Sequence, residues 1–103
     1  MKMIMWATDV IDNNIKEAHM YAEKAHALKD VNKAAADWCA KMAKSHLDFN
    51  ADGHTVAERM ISDYKASGQK SPLEAGMMEV YNAKHADLIA KTAEVKAMLD
   101  MYK

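Results

Sequence analysis

Apolar residues recur every three or four positions along most of this chain, the spacing that gathers them on one face of an α-helix. A first stripe spans about residues 8–29, and its helix could begin as early as Ile4. Its members are Val10, Ile11, Ile15, Ala18, Tyr21, Ala22, Ala25 and Leu28. We therefore predict a first helix over this range, with its apolar face turned towards the core.

A second stripe starts after Asp30, a residue type that favours helix N-termini. Its members are Val31, Ala35, Trp38, Cys39, Met42, His46, Phe49, Gly53, Val56, Ala57, Met60 and Tyr64. The polar segment Asn50–Gly53 resembles a helix stop, yet the stripe keeps its phase on both sides of it. Because a loop would usually reset that phase, we predict one continuous helix over about residues 30–67. The alternative is a break near Gly53, which would create a fourth helix.

The start of a third helix is marked by its capping residues. Ser71 is a good N-cap, Pro72 occupies the first helical position, and Glu74 completes a capping box. The apolar stripe that follows is Met78, Tyr81, His85, Leu88, Thr92, Val95, Leu99 and Tyr102. The sequence therefore predicts an all-α fold, a single domain over residues 1–103 with three long antiparallel helices.

Composition and charge narrow the range of functions. The 103 residues suit one domain, and 3 glycines with 1 proline are too few for the turns of a β-sandwich or barrel. The net charge is -1 with no block of like charge, so we expect no binding to nucleic acid. No segment approaches the roughly 18 apolar residues of a membrane helix, and no signal peptide is recognisable. We therefore expect a cytoplasmic protein that does not enter a membrane.

The segment Asp48-Phe49-Asn50-Ala51-Asp52-Gly53 matches the first half of a calcium-binding loop of the EF-hand type, with oxygen ligands at positions one, three and five and glycine at position six. The second half does not match, because Arg59 stands where the bidentate acid is needed. We therefore do not expect calcium binding, and we interpret the segment as a polar part of the second helix.

His19, Glu23 and His26 lie on one face of the first helix, each about one turn from the next. Imidazole and carboxylate groups at this spacing can bind a transition metal. Because tight binding would need a further ligand from another helix, the alternative interpretation is that these side chains are simply solvated.

Three parts of the chain carry a resemblance to a known family: the run Glu17–Ala25, the histidines His46 and His54, and the segment from Lys84-His85 to Lys103. They resemble small ferritin-like, rubrerythrin-like helical proteins. The resemblance implies a ferritin-like bundle, and catalytic members of the family bind two irons through a glutamate and Glu-x-x-His pairs. It implies Glu17, with Tyr21 one turn later, as one metal ligand, and His46 and His85 as further candidates.

Two features separate this chain from the catalytic pattern. Where the second helix would carry Glu-x-x-His, the sequence reads His46-Leu47-Asp48-Phe49. If the second and third helices form a hairpin about residues 69–70, His85 lies level with Gly53 and His54, about 12 Å from His46 along the bundle. That separation exceeds one ligand sphere, and we interpret His85 as filling the space that Gly53 leaves. Whether the chain is an enzyme stays open, and iron, manganese and zinc are the candidate metals.

Helix lengths predict self-association. At about 1.5 Å per residue the first helix is about 33 Å long and the second about 55 Å, so the first can cover only half of the second. The remaining hairpin, residues 53–67 and 72–86, would leave an apolar inner stripe bare. Its members are Val56, Met60, Tyr64, Met78 and Tyr81. The leading hypothesis is a non-catalytic interaction or assembly module that forms a homodimer through this hairpin. The alternative is a ferritin-like metal-binding protein with oxidase- or peroxidase-type activity.

Overall fold

A computed structural model describes residues 2–68 and 71–102 and shows three α-helices. They are α1 (Lys2–Leu28), α2 (Lys33–Ala66) and α3 (Pro72–Met101). Successive helices run antiparallel, so that α1 and α3 point the same way, in a slender bundle of 57 × 18 × 18 Å. Within the described ranges there is no strand, and no helix is long and apolar enough to span a membrane. The predicted all-α fold with three long helices is confirmed.

The second helix is continuous through Asn50–Gly53, so the alternative of a break near Gly53 does not apply. Its N-cap is Asn32 rather than Asp30, because the Asn32 side chain accepts a hydrogen bond from the Ala35 backbone N–H at 3.1 Å. The helical course of residues 48–53 also means that this segment does not adopt the conformation of a calcium-binding loop.

The third helix begins as the capping residues predict. The Ser71 hydroxyl accepts a hydrogen bond from the Glu74 backbone N–H at 3.2 Å, and Pro72 is the first helical residue. The Glu74 carboxylate accepts a further hydrogen bond from the Tyr64 hydroxyl. This contact joins the last turn of α2 to the first turn of α3.

The core is built around small side chains. In the central cluster Ala18 and Ala22 of α1 and Ala43 of α2 are fully buried, which lets the two helices approach closely. The other buried members of this cluster are Ile15, Leu47, Leu88 and Val95. α1 packs along both other helices, whereas α2 and α3 contact each other at few points. The buried residues of α1 and α3 lie on the faces that their periodicity predicts.

The start of α1 differs from the expectation. The helix begins at Lys2, which places its first turn about 9 Å beyond a start at residue 8. Ile4 is 2% exposed and forms a cluster with Ile61 of α2 and Tyr81 of α3. The expectation of a bare hairpin is therefore wrong, because the N-terminal turns of α1 extend far enough to cover its inner side.

The second helix packs on α1 through a different stripe from the one predicted. Its buried residues are Ala36, Cys39, Ala43, Leu47, Asn50, Ala57 and Ile61. Trp38, Phe49 and Val56, which the periodicity assigns to the core, are 59%, 57% and 54% exposed. The helix carries two adjacent apolar stripes, and the one rich in alanine allows the closer approach of α1. The predicted core position of the bulkier side chains is therefore wrong.

Candidate functional site

The outward face of α2 carries an apolar strip, here termed the outer stripe. It consists of Trp38, Met42, Phe49, Val56 and Met60. It includes one of the 2 tryptophans of the sequence and its 1 phenylalanine. The other tryptophan, Trp6 of α1, is also exposed, by 59%. Aromatic side chains are enriched where proteins meet, so the exposure of Trp38 and Phe49 marks a candidate contact surface.

The residues predicted to form a dimer interface divide between two environments. Val56 is exposed on the outer stripe, whereas Met60, at the end of that stripe, is half-buried and packs against the cluster of Ile4, Ile61 and Tyr81. Tyr81 is buried, and Tyr64 and Met78 pack against its cluster. The inner side of the hairpin is therefore part of the core of the chain, and the outward side of α2 is the part left uncovered.

A polar network lies between α1 and α2. Nδ1 of His46 donates to Oδ1 of Asn14. Asn14 Nδ2 donates to the His46 carbonyl at 2.6 Å and to Oδ1 of Asn50 at 2.7 Å. Asn50, which is 5% exposed, donates in turn to the Ile11 carbonyl at 3.1 Å. These bonds satisfy a buried amide, and they fix both the register of the two helices and the orientation of the His46 ring.

Two of the residues implied as metal ligands lie together beside this network. Oε2 of Glu17 is 3.4 Å from Nε2 of His46, and the Tyr21 ring lies parallel to the imidazole with 5.6 Å between centroids. Because Nδ1 of His46 donates to Asn14, Nε2 is the nitrogen left for a ligand. The pair supplies two donors, fewer than the three or four protein ligands of an ordinary zinc site.

The third implied ligand, His85, lies beside His54 of α2, as the hairpin geometry predicts. The two Nε2 atoms are 2.8 Å apart, and Oε1 of Glu58 is 3.5 Å from Nε2 of His54. His54 follows His46 by two turns of α2, about 12 Å along the helix axis. Glu17, His46 and His85 therefore do not form one site.

Gly53 does not face His85. A methyl group at Gly53 would lie 3.4 Å from Cγ1 of Ile11, so the glycine makes room for this α1 side chain. The interpretation that the His85 ring fills the space beside Gly53 is wrong, because Ile11 occupies it.

The side chains of His19, Glu23 and His26 take different partners. Nδ1 of His19 is 3.1 Å from Glu23, and its Nε2 is 3.4 Å from Glu94 of α3. His26 instead places Nε2 2.7 Å from the Met98 carbonyl of α3. These histidines link α1 to α3. Among the described residues, no group of three or more His, Cys, Asp or Glu side chains is arranged to hold a metal ion.

An open groove of about 1030 Å³ separates α2 from α3 along much of the bundle. Its walls are largely apolar and include Leu47 of α2 and Leu88 of α3, with Ile11 of α1 between the two helices. His54 and His85 line it towards the end near the α2–α3 turn. The groove follows from the packing, because α1 contacts both helices and keeps them apart.

Tyr102, the residue after α3, closes the other end of this groove. Its hydroxyl donates to Asp37 at 2.6 Å, and Nζ of Lys33 lies 2.7 Å from the same carboxylate. The hydrogen bonds from Lys33 and Tyr102 lower the pKa of Asp37. Nζ of Lys33 is also 4.8 Å from the centre of the Tyr102 ring. Lys33, Asp37 and Tyr102 thus form a polar cluster that holds the C-terminal end of α3 to α2.

Sequence reasoning did not identify Asn14 and Asn50, or the contact of His54 with His85. For Asn50 the signal is its spacing: it lies three residues after Leu47 and seven before Ala57, so it shares the buried face of α2 with them. For His54 and His85 the signal is that both lie at the same level along the hairpin of α2 and α3. Neither signal reveals a hydrogen bond, because that depends on side-chain rotamers.

Comparisons of this chain with models of protein families, with curated proteins and with solved structures found no match. The basis for a function is therefore the placement of side chains within residues 2–68 and 71–102. Two features stand out there: the exposed aromatic side chains of the outer stripe, and the polar contacts at the groove.

Proposed function

We propose that this chain is a non-catalytic helical interaction module whose copies associate through the outer stripe of α2. The observation that carries the proposal is that Trp38 and Phe49 are both more than half exposed on this stripe. Burying a large apolar side chain contributes about 1.5–3 kcal/mol. A surface that leaves such side chains in water therefore gains most when a partner covers it.

The size of the surface suits a dimer. From Trp38 to Met60 the stripe is about 33 Å long, and α2 with its neighbour α1 is about 20 Å wide. The resulting face of about 660 Å² is close to the roughly 800 Å² that each partner buries in a stable interface. The five side chains of the stripe itself are all uncharged.

The order of side chains favours a second copy as the partner. Trp38 and Met60 lie at equal distances on either side of Phe49, and so do Met42 and Val56. Two α2 helices packed antiparallel about a two-fold axis at Phe49 would place each residue opposite its counterpart. A two-fold interface requires such a self-complementary patch. The proposed surface keeps Val56 and Met60 from the predicted interface and leaves out the buried Tyr81.

Sedimentation equilibrium tests this proposal with one variant and one matched control. Phe49→Glu places a charge at the centre of the stripe, and Ile89→Glu places one on α3 at a side chain of almost equal exposure, 56% against 57%. We expect a dimer for the unmodified chain and for Ile89→Glu at about 50 µM, a concentration well above a micromolar Kd. We expect a monomer for Phe49→Glu.

A monomeric unmodified chain at that concentration would refute self-association. A Phe49→Glu variant that stays dimeric, or an Ile89→Glu variant that dissociates, would show that another surface forms the dimer. Since both substituted side chains are exposed, circular dichroism should show the same helicity for all three chains.

A second candidate function, a ferritin-like metal-binding protein, is favoured by the 3.4 Å approach of Glu17 to His46 across α1 and α2. Iron, manganese or zinc at this place would need further ligands beyond these two. Elemental analysis of protein purified without a metal-affinity tag tests this function. We would expect a stoichiometric metal that is lost in Glu17→Gln, while helicity is retained; equal metal content in that variant would exclude Glu17 as a ligand.

A further inference from the structure

Two side-chain contacts bridge the groove between α2 and α3 and delimit its central stretch. At one end Nε2 of His54 lies 2.8 Å from Nε2 of His85, and at the other the Tyr102 hydroxyl donates to Asp37 at 2.6 Å. Both helices advance by the same number of residues between the two bridges, over a length of about 25 Å. Because the bridges cross from one helix to the other, they limit the length of a ligand that lies between them.

The stretch between the bridges is lined mainly by apolar side chains. Its buried members are Leu47 and Leu88, with Ile11 of α1 beside them. Ile89 also lines the groove and is 56% exposed, so an apolar ligand would cover a side chain that otherwise stays in water. The volume of the groove, about 1030 Å³, is at the upper end of the range of about 300–1,000 Å³ for small-molecule sites.

Three lysines lie at one level of this stretch. Lys41 and Lys44 of α2 and Lys96 of α3 line the groove and are exposed. In the register that the two bridges set, Lys96 lies opposite the turn between Lys41 and Lys44. Within the described part of the chain, no carboxylate lies within ion-pair distance of these amines. Their positive charges can therefore interact with an anion in the groove.

The acidic residues of the groove do not cancel this charge. Asp37 is neutralised by Lys33, whose Nζ lies 2.7 Å from its carboxylate. The three lysines therefore outnumber the two other aspartates of the lining, Asp48 and Asp100. At the opposite end Oε1 of Glu58 lies 3.5 Å from Nε2 of His54 and adds a negative charge there. The charges thus favour an anion at the lysines and not at the histidines.

We propose that this groove binds a long-chain fatty acid, with its carboxylate at the three lysines and its hydrocarbon tail over Leu47 and Leu88. From the lysines to the histidine bridge the groove runs for about 15 Å. One acyl chain has about this length, since two of them end to end make up the roughly 30 Å hydrocarbon core of a bilayer. A helix of a partner protein fits less well, because it would have to displace both bridges.

The two parts of the ligand would have different roles. Ion pairs at an exposed surface contribute little to affinity, so burial of the tail would supply most of it. The lysines would set the orientation of the ligand and select a negative headgroup. Binding here is a function additional to self-association, because the outer stripe lies on the outward face of α2 and not in the groove.

Isothermal calorimetry of the unmodified chain with laurate, below its micelle concentration, tests the apolar part of the site. We expect one laurate per chain with a Kd below about 1 mM. Ile89→Glu should weaken binding by about tenfold or more, because it removes an apolar contact from the groove wall. Val80→Glu is the matched control: Val80 is also on α3 and 56% exposed, but it lies outside the groove, and this variant should bind like the unmodified chain.

A cationic amphiphile with the same tail, dodecyltrimethylammonium, tests the headgroup. We expect it to bind at least about tenfold more weakly than laurate. Lys44→Glu should weaken laurate binding by about three- to tenfold, whereas Lys24→Glu, which changes an exposed lysine outside the groove, should leave it unchanged. Nuclear Overhauser contacts between the laurate methylenes and the methyl groups of Leu47 and Leu88 would locate the tail without any variant.

Several outcomes would overturn the proposal. Absence of laurate binding up to about 1 mM, equal binding of the cationic amphiphile, or binding that Ile89→Glu leaves unchanged would each exclude the site. Dissociation of the dimer by Ile89→Glu would place a second copy of the chain in the groove and overturn it as well. A monomeric unmodified chain that binds laurate as expected would refute self-association alone and support the fatty-acid site.

Discussion

Replacing Asn50 with alanine should destabilise the bundle, although alanine is the better helix former. Asn50 lies in the middle of α2 and is 5% exposed. Its side chain accepts a hydrogen bond from Asn14 at 2.7 Å and donates one to the Ile11 carbonyl at 3.1 Å. The variant removes both bonds and leaves one donor of the buried network without its side-chain acceptor.

Two opposing effects set the magnitude. Each hydrogen bond contributes about 0.5–1.5 kcal/mol to the free energy of unfolding, so the loss is about 1–3 kcal/mol. The gain in helix propensity on replacing asparagine with alanine is about 0.6 kcal/mol. The hydrogen bonds outweigh the propensity, and we expect a net loss of about 0.5–2.5 kcal/mol. For a domain of this length, a loss of 1 kcal/mol lowers Tm by about 4 °C.

Asn82→Ala is the matched control, because Asn82 is exposed within α3 and should show the propensity gain alone. Thermal and urea denaturation at one fixed chain concentration would measure both variants, since association makes Tm depend on concentration. We expect Asn82→Ala to be slightly more stable than the unmodified chain and Asn50→Ala less stable. If Asn50→Ala matched Asn82→Ala in stability, the network between α1 and α2 would contribute nothing, and the reasoning would be refuted.

Two further substitutions test the path of α2 and its junction with α3. Gly53→Ala should raise the free energy of unfolding by up to about 1 kcal/mol, because alanine favours a helix interior more than glycine does. The added methyl group would lie 3.4 Å from Cγ1 of Ile11, an ordinary van der Waals contact. A lower Tm would show that Ile11 cannot adjust to it. Burial of the Tyr64 phenol and its hydrogen bond to Glu74 raise the pKa of Tyr64 to about 12. The neutral phenol therefore stabilises the folded chain below pH 10.0, and this contribution is lost as the pH rises to about 12. Ultraviolet titration against Tyr64→Phe should detect this late ionisation, and an unchanged titration in Glu74→Gln would contradict the role of that carboxylate.

The number of helices, the continuity of α2 and the start of α3 could be predicted because each depends on local signals. The Ser71-Pro72 start of α3 is a capping pattern, and the unbroken phase through Gly53 reveals a continuous α2. The true start of α1 is harder to predict, because the run Met3–Trp6 is apolar on every side and carries no phase. Only its packing with Ile61 and Tyr81 places that turn in the fold.

The orientation of α2 could not be predicted from periodicity, because two stripes on this helix share the same spacing. Trp38 and Phe49 make one of them the more apolar, and hydrophobic patterning therefore assigns it to the core. The structure buries the stripe of Ala36, Ala43 and Leu47 instead, since small side chains let α1 approach closely. Which stripe is buried depends on the shape of the partner helix, and that information lies outside the local sequence.

In the candidate sites, the level of a residue along the bundle could be predicted from the sequence, whereas the contacts of its side chain depend on tertiary packing. Helical rise alone places His85 level with His54, and the structure agrees. That their Nε2 atoms point at each other depends on rotamers, on the Tyr81 ring and on the distance at which α1 keeps α2 from α3. The pairing of Asn14 with His46 likewise joins residues that are far apart in sequence.

α3 is the most loosely packed helix of the bundle, because it makes few contacts with α2. Few residues of α3 are buried, and Val80 and Ile89 are each 56% exposed. The helix is held to α1 partly by ion pairs, such as Lys84 with Asp9 at 2.6 Å, which contribute little at an exposed surface. The separation of α2 and α3 therefore depends on the few contacts that bridge them, such as that between His54 and His85. Association through the outer stripe of α2 would leave this groove unchanged, because the stripe lies on the outward face of the helix.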